Sequence, residues 1–298
     1  MSDRKSRLGL TLVELLVVLA IISTVAALSA ATALKFIGTQ QVSNTKTTLG
    51  KLQGQLDAQW AEVTRRVREE PIPETLRANP DFAAMAGDDA YAARRARVIY
   101  VKLKQRQAFP MSFDEALNPY PLPPLSPYVT FLRNLGIKGS SAATQPFESA
   151  VCLLMALERT PADGGVKPED MGLGTLAVTL PGGAQTPCPV DAWETPLAFC
   201  RWPTGCPELN PSGPAAGRND ACDTEGLLNT PGWLASPGAA LFRRLCHDLP
   251  PRAVNAGPSS YRLTPIVASA GPDRKMDLAA VTLQPTGAGA NDNLYGGP

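Results

Sequence analysis

An apolar run of about 20 residues, Leu15 to Leu34, follows a short polar leader and is broken by no charge until Lys35. As a helix it crosses a bilayer core of ~30 Å. The pattern then changes character. Leu49, Leu52, Leu56, Trp60, Val63 and Val67 recur at steps of three or four, with Lys51, Gln55, Asp57, Gln59, Glu62 and Arg66 between them. That spacing is one apolar face of a helix with a polar back. Pro71 and Pro73 stop it, so the pattern predicts one helix from Leu10 to about Glu70, near 90 Å at 1.5 Å per residue. Gly38, Gly50 and Gly54 are its expected soft points.

Further on, residues 81–108 read as helical, rich in Ala and Arg, and Ser112 with Glu115 forms a capping-box signature for a short helix. Residues 119–127, with five prolines, predict a stiff polyproline-type connector. Residues 147–159 predict a buried helix, and Leu173–Leu180 a strand bounded by Gly172 and Pro181. Asp191-Ala-Trp-Glu-Thr-Pro-Leu-Ala-Phe-Cys predicts a turn opened by Asp191, then a half-buried strand with Leu197 and Phe199 on one face. The 25 glycines and 29 prolines make about 18% of the chain, against an ordinary ~12%, and fall mainly after residue 118. The exterior should be loop-rich.

Charge narrows the function. With 28 basic and 27 acidic residues the net charge is +1, so nothing draws the chain globally toward nucleic acid. Basic runs such as Arg65-Arg66-Val-Arg68 and Arg94-Arg95-Ala-Arg97 read as solvated helix faces. No Gly-x-Ser-x-Gly, P-loop or His-Glu-x-x-His is present, and the single histidine, His247, adjoins Cys246 rather than converging on it from afar. The chain is not expected to be an enzyme.

Against this background the N-terminus stands out. Arg4, Lys5 and Arg7 precede Gly9; Leu10 begins the apolar segment; and Glu14 is an acid near the start of a membrane-length helix, where it costs a few kcal/mol. A secretory signal has a shorter apolar core, and a plain anchor leaves Glu14 without explanation. The arrangement resembles the N-terminus of type IV pilins and of the pseudopilins of type II secretion, although Leu10 replaces the more usual Phe or Met. The resemblance implies cleavage after Gly9 by a prepilin peptidase, methylation of Leu10, and assembly through Glu14, whose carboxylate pairs with the α-amine of Leu10 on a neighbouring subunit. Positive flanks stay cytoplasmic, which places the remainder outside the inner membrane.

Two later stretches resemble the major pseudopilin. One is the Asp191–Phe199 segment, with Glu194 where the family has glycine. The other is Ile266-Val-Ala-Ser-Ala-Gly-Pro-Asp273-Arg-Lys-Met-Asp277 with Asn291-Asp-Asn-Leu-Tyr295, similar to a calcium loop and its acidic tail. Ser269, Asp273, Asp277 and Asp292 are the candidate ligands, as oxygen donors suited to a hard cation. Arg274 stands at a family glycine. In the exported part, six cysteines (Cys152, Cys188, Cys200, Cys206, Cys222 and Cys246) are disulfide candidates with 15 connectivities open. No Cys-x-x-Cys pair favours zinc.

The resulting expectation is an α+β, pilin-like fold: a long N-terminal helix, transmembrane in its first half, packed on a small antiparallel β-sheet domain with loop-rich insertions. Its parts are a cleaved leader, 1–9; a transmembrane or filament-core helix, 10–36; an amphipathic continuation, 37–70; a helical, Pro-rich insertion, 71–184; and a pseudopilin-like β domain, 185–298. The expected function is a structural subunit of a type II secretion pseudopilus. The alternative is a minor type IV pilin for adhesion or DNA uptake, and a membrane-anchored enzyme ranks last. Expected partners are other pilin or pseudopilin subunits, the inner-membrane assembly platform, prepilin peptidase and membrane lipid, with no nucleic acid. The expected place is the inner membrane, single-pass, with the C-terminal domain periplasmic, or an extracytoplasmic filament.

Overall fold

The computed structural model describes residues 12–159, 174–206, 220, 222–247, 263–279 and 284–297. The chain divides into two compact units, residues 1–44 and 45–298. Helix α1, Leu12–Glu69, runs without a break through Gly38, Gly50 and Gly54. In the first unit it carries an apolar surface from Leu12 to Ile37 whose large side chains are exposed.

In the second unit the predicted stripe of α1 becomes core. Leu49, Leu52, Leu56, Trp60 and Val67 are buried and Val63 is partly so. They pack with Ile99 and Leu103 of α4 (Ala92–Ala108), Leu153 and Leu157 of α7 (Gln145–Arg159), Phe199 and Val267. The helix ends at Glu69, just before Pro71. Short helices α2 (Glu74–Arg77) and α3 (Pro80–Ala86) follow, the latter capped by Asn79, whose carboxamide oxygen accepts from Asp81 and Phe82 N–H. The predicted helix over 81–108 is thus two helices, separated at Gly87, which sits at φ 78°.

Helix α5 (Phe113–Leu117) starts at Ser112 as its capping signature requires, with Glu115 N–H donating to Ser112 Oγ at 3.1 Å. Of the proline-rich stretch, residues from Ser126 onward form helix α6 (Ser126–Asn134), with Pro127 in its first turn. A second apolar cluster unites Phe113, Tyr128, Leu132, Cys152, Met155 and Cys188.

Strands β1 (Thr175–Thr179) and β2 (Gln185–Pro189) form an antiparallel pair; residue 173 of the predicted strand lies outside the described residues. A separate antiparallel sheet has the order β3 (Ala198–Cys200), β4 (Ile266–Ser269), β5 (Leu294–Tyr295). Every residue of β4 is buried, which suits a central strand covered on both faces. A long apolar helix followed by small antiparallel sheets is the expected α+β, pilin-like arrangement.

Two buried cations anchor the regions around α4. Arg95 is 0% exposed: it donates to Ala86 O at 2.7 Å and Leu227 O at 3.2 Å, pairs with Asp89 at 2.8 Å, and lies over Trp233. This corrects the reading of Arg94–Arg97 as a wholly solvated face. Lys102, also 0% exposed, pairs with Asp220 at 2.5 Å and lies over Trp202. Helix Pro237–Leu245 crosses α3 so closely that a Cβ on Gly238 would stand 2.0 Å from Ala84 O.

Candidate functional site

The first unit holds the segment that the sequence singles out. Glu14 lies in the first turn of α1, where the helix dipole favours an acid; Gly9 and Leu10 lie outside the described residues. Four hydroxyls along the apolar surface are satisfied within the helix. Ser23 donates to Leu19 O, Thr24 to Ile21 O and Thr32 to Leu28 O, each at 2.8 Å, and Thr39 to Lys35 O at 3.0 Å. Returning these hydroxyls to the backbone lowers what the surface demands of water, with Glu14 as its one acid. A helix of this length and composition is able to cross a membrane, and none of the apolar window is buried within the chain.

In the second unit, Asp191 builds the predicted turn. Its Oδ1 accepts from Trp193 and Thr195 N–H at 2.9 Å, and its Oδ2 accepts from Ser269 Oγ at 2.7 Å. Glu194, at the family glycine, keeps the left-handed conformation, φ 61°. Leu197 and Phe199 are buried on one face, as the alternation predicts. A residue that the sequence does not mark completes the joint. Gln53, buried on α1, donates to Pro265 O at 2.8 Å and accepts from Val267 N–H at 3.1 Å, so a side chain substitutes for a strand partner at β4. The available signal was a glutamine directly beside Leu52 and within reach of the apolar stripe.

The C-terminal loop gathers three of the four proposed cation ligands. Asp277 Oδ2 accepts from Gly289 N–H at 3.1 Å, Asp292 Oδ2 from Asp273 N–H at 3.3 Å, and Asp273 Oδ1 from Lys275 N–H at 2.8 Å. Carboxylate oxygens of Asp273 and Asp277 both lie within 3.0 Å of where a Cβ on Gly289 would stand, so the two carboxylates approach each other over that glycine. Arg274 takes φ 61°, a left-handed conformation that glycine adopts more readily. Asp292 Oδ1 and Asn293 Oδ1 are buried without a hydrogen-bond partner, and orphaned acceptor oxygens beside carboxylates are the donor chemistry of a hard cation. Ser269 does not join them: it is wholly buried, and its hydroxyl is engaged by Asp191 and by Gly271 N–H. Of the four candidates, Asp273, Asp277 and Asp292 are the ones that the loop brings near one another. Among the described residues no three carboxylate, thiol or imidazole groups converge as a ready-made metal cage.

All six cysteines are free thiols here, the disulfide expectation notwithstanding. Five are buried, and burial pushes the Cys188, Cys200 and Cys246 thiols up to about 12 and Cys152 well up also. In the folded domain these four pack as small hydrophobes rather than acting as nucleophiles.

A cavity of about 670 Å3 is walled by Ser112, Glu115, Glu148, Trp202, Arg243 and His247, among others. Three of its charged groups, Glu115, Glu148 and Arg201, are committed to structure. Arg201 donates from both terminal nitrogens to Glu115, at 2.9 and 3.0 Å, and to Phe109 O at 2.7 Å, while Glu148 accepts from Phe113 N–H and Ser140 Oγ. His247 is packed edge-on between Trp202 and Phe242.

Comparison with known families agrees with the N-terminal geometry. Residues 4–30 match the family described as the prokaryotic N-terminal methylation motif, the signature of type IV pilins and pseudopilins. No curated protein and no solved structure matches the chain. The N-terminal segment thus carries a type IV pilin-like methylation motif.

Proposed function

We propose that this chain is a structural, non-enzymatic subunit of a type II secretion pseudopilus. A prepilin peptidase cleaves it after Gly9, Leu10 is methylated, and the subunit leaves the inner membrane to extend a short filament that moves cargo outward. The observation that carries this reading is the methylation motif over residues 4–30, continued by an apolar helix that its own chain leaves uncovered. Such a surface needs lipid before assembly and other subunits afterwards. Glu14 then meets the α-amine of Leu10 on a neighbour. Methylation keeps the charge of that amine, and in a low-dielectric filament core the pair sets register, because either charge alone is costly there.

The finer choice of a secretion system over a pilus is supported by the Asp191 turn and the C-terminal loop. In that loop Asp273, Asp277 and Asp292 would hold a calcium ion. Bound calcium supplies a cross-link between two segments of the loop, Gly271–Asp277 and Gly287–Asn293. The domain faces the periplasm in this reading.

The test is mass spectrometry of protein purified from membranes, combined with secretion and piliation assays of a deletion strain. Leu10 as a singly methylated N-terminus, with secretion lost and pili intact, supports the proposal. An intact leader in a peptidase-positive strain overturns it. Loss of pili with secretion intact replaces the pseudopilus by a type IV pilus.

A further inference from the structure

The six thiols are not scattered through the second unit; they fall two by two into three separate packed clusters. Cys152 of α7 and Cys188 of β2 share the cluster built on Phe113, Tyr128 and Met155. Cys200, at the end of β3, and Cys206 share a small cluster with Ile266. Cys246 belongs to the main core, and Cys222 packs against that same core. The last two also share a neighbour, since both act electrostatically on the buried Lys102, and Cys222 Sγ accepts from Gln105 Nε2 at 3.4 Å.

A disulfide needs its two Cβ atoms roughly 3.5–4.5 Å apart, which means that partners must lie in one contact cluster. Of the 15 connectivities open to six cysteines, only one pairs every cysteine within its own cluster. We propose that the oxidised protein carries the disulfides Cys152–Cys188, Cys200–Cys206 and Cys222–Cys246, and no others. The proposal rests on the exported location read above, because only an oxidising compartment maintains such bonds.

Each bond forms by exchange with a disulfide-bearing thiol oxidant. One cysteine thiolate attacks a sulfur of the oxidant's disulfide, breaking that bond and giving a mixed disulfide. The second thiolate then displaces the oxidant, which leaves as the reduced dithiol, or as two thiols in the case of glutathione disulfide. Two electrons and two protons end on the oxidant, the protons passing by way of solvent. Burial keeps the Cys152, Cys188, Cys200 and Cys246 thiols protonated and out of reach in the closed core, so each bond forms while the chain folds. The Cys152–Cys188 bond would tie α7 to the β1–β2 hairpin. Cys222–Cys246 would tie the segment beside Asp220, the partner of Lys102, to the end of helix Pro237–Leu245.

The test uses the full chain in detergent in two arms. In the first, reduced chain is refolded from urea in a glutathione redox buffer, its remaining thiols are blocked, and it is digested without reduction. Trypsin with a glutamate-specific protease puts each cysteine on its own peptide, because Glu194 separates Cys188 from Cys200, Arg201 separates Cys200 from Cys206, and Arg243 separates Cys222 from Cys246. Three linked peptide pairs in the stated combination are expected. A link between clusters, such as Cys152 to Cys200, or free thiols as the main product, overturns the assignment. Cys188→Ser should release Cys152 alone for alkylation; release of any other cysteine also overturns it. In the second arm, thiols are blocked at lysis in cells that make the protein. Links in the refolded arm with free thiols in the cellular arm keep the connectivity but reject the exported location, so the two readings fail separately.

Discussion

Glu115 is the group whose removal should cost the folded domain most visibly. Burial by itself raises its carboxyl, but Arg201's charge and hydrogen bonds outweigh that, helped by Arg106 and the Met111 N–H, and hold it at about 2 against an ordinary 4.5. A depression of that size corresponds to ~3.4 kcal/mol of stability at neutral pH, taking ~1.36 kcal/mol per unit. Because the folded-state value lies below the unfolded one, the contribution is complete above about pH 4.5 and is lost as the pH falls toward 2. Between pH 7 and pH 3 about 2 kcal/mol should disappear.

Glu115→Gln keeps the shape and leaves Arg201, itself nearly fully buried, without its counter-charge. Breaking one side of a buried pair costs about 3–5 kcal/mol, which agrees with the titration figure. The assay is urea denaturation of detergent-solubilised protein at pH 7, 5, 4 and 3, wild type beside variant. The gap in unfolding free energy should be ~3 kcal/mol or more at pH 7 and should narrow steadily below pH 4.5. A variant within ~1 kcal/mol of wild type at pH 7, or a gap independent of pH, would show that the Arg201–Glu115 pair is not the structural ion pair described.

Lys102→Met leaves Asp220 buried and unpaired and should cost about 3–5 kcal/mol by the same denaturation assay, whereas adding Asp220→Leu should recover most of the loss. For the C-terminal loop, saturating calcium at ~100 times Kd should add ~2.7 kcal/mol and raise the melting temperature, an increment that Asp273→Ala removes; calorimetry without any shift at millimolar calcium would reject the ion. Glu14→Ala should insert, be cleaved and accumulate like wild type, yet fail to cross-link to other prepilins, since an unpaired amine in the filament core costs several kcal/mol; normal co-assembly would remove the intersubunit role.

Periodicity carried the information about helices and apolar faces. The stripe from Leu49 to Val67, the buried α7 and the Asp191 turn all follow from spacing, because each is decided within a few residues of chain. The pairings between distant residues were not legible. Arg201 and Glu115 are 86 residues apart, and nothing local distinguishes a charge that will be desolvated from one that will stay in water. Arg95 illustrates the trap: in sequence it is one of three arginines on a helix, and in the fold its guanidinium is enclosed by Ala86, Asp89, Leu227 and Trp233. Ser112 and Glu115 mark a helix start correctly, yet the Glu115 carboxylate takes the Met111 N–H and two arginines. The loop resemblance likewise grouped Ser269 with Asp273 by proximity in sequence, whereas β4 turns its hydroxyl toward Asp191.

The two units also differ in what completes them. Among its described residues the second packs two large apolar clusters and answers its buried cations Arg201, Arg95 and Lys102 with Glu115, Asp89 and Asp220, so these contacts lie within the single chain. The first returns its hydroxyls to its own backbone and leaves Leu15, Leu16, Leu19, Ile22 and Leu28 exposed, so its free energy depends on what surrounds it. Substitutions should therefore sort by readout. Glu115→Gln and Lys102→Met move the denaturation midpoint and change assembly only through the loss of folded protein. Glu14→Ala leaves the midpoint in place and changes assembly directly. A Glu14 variant that unfolds earlier, or a Glu115 variant that folds normally and yet fails to assemble, would break that separation and require the domain to act in assembly through more than its fold.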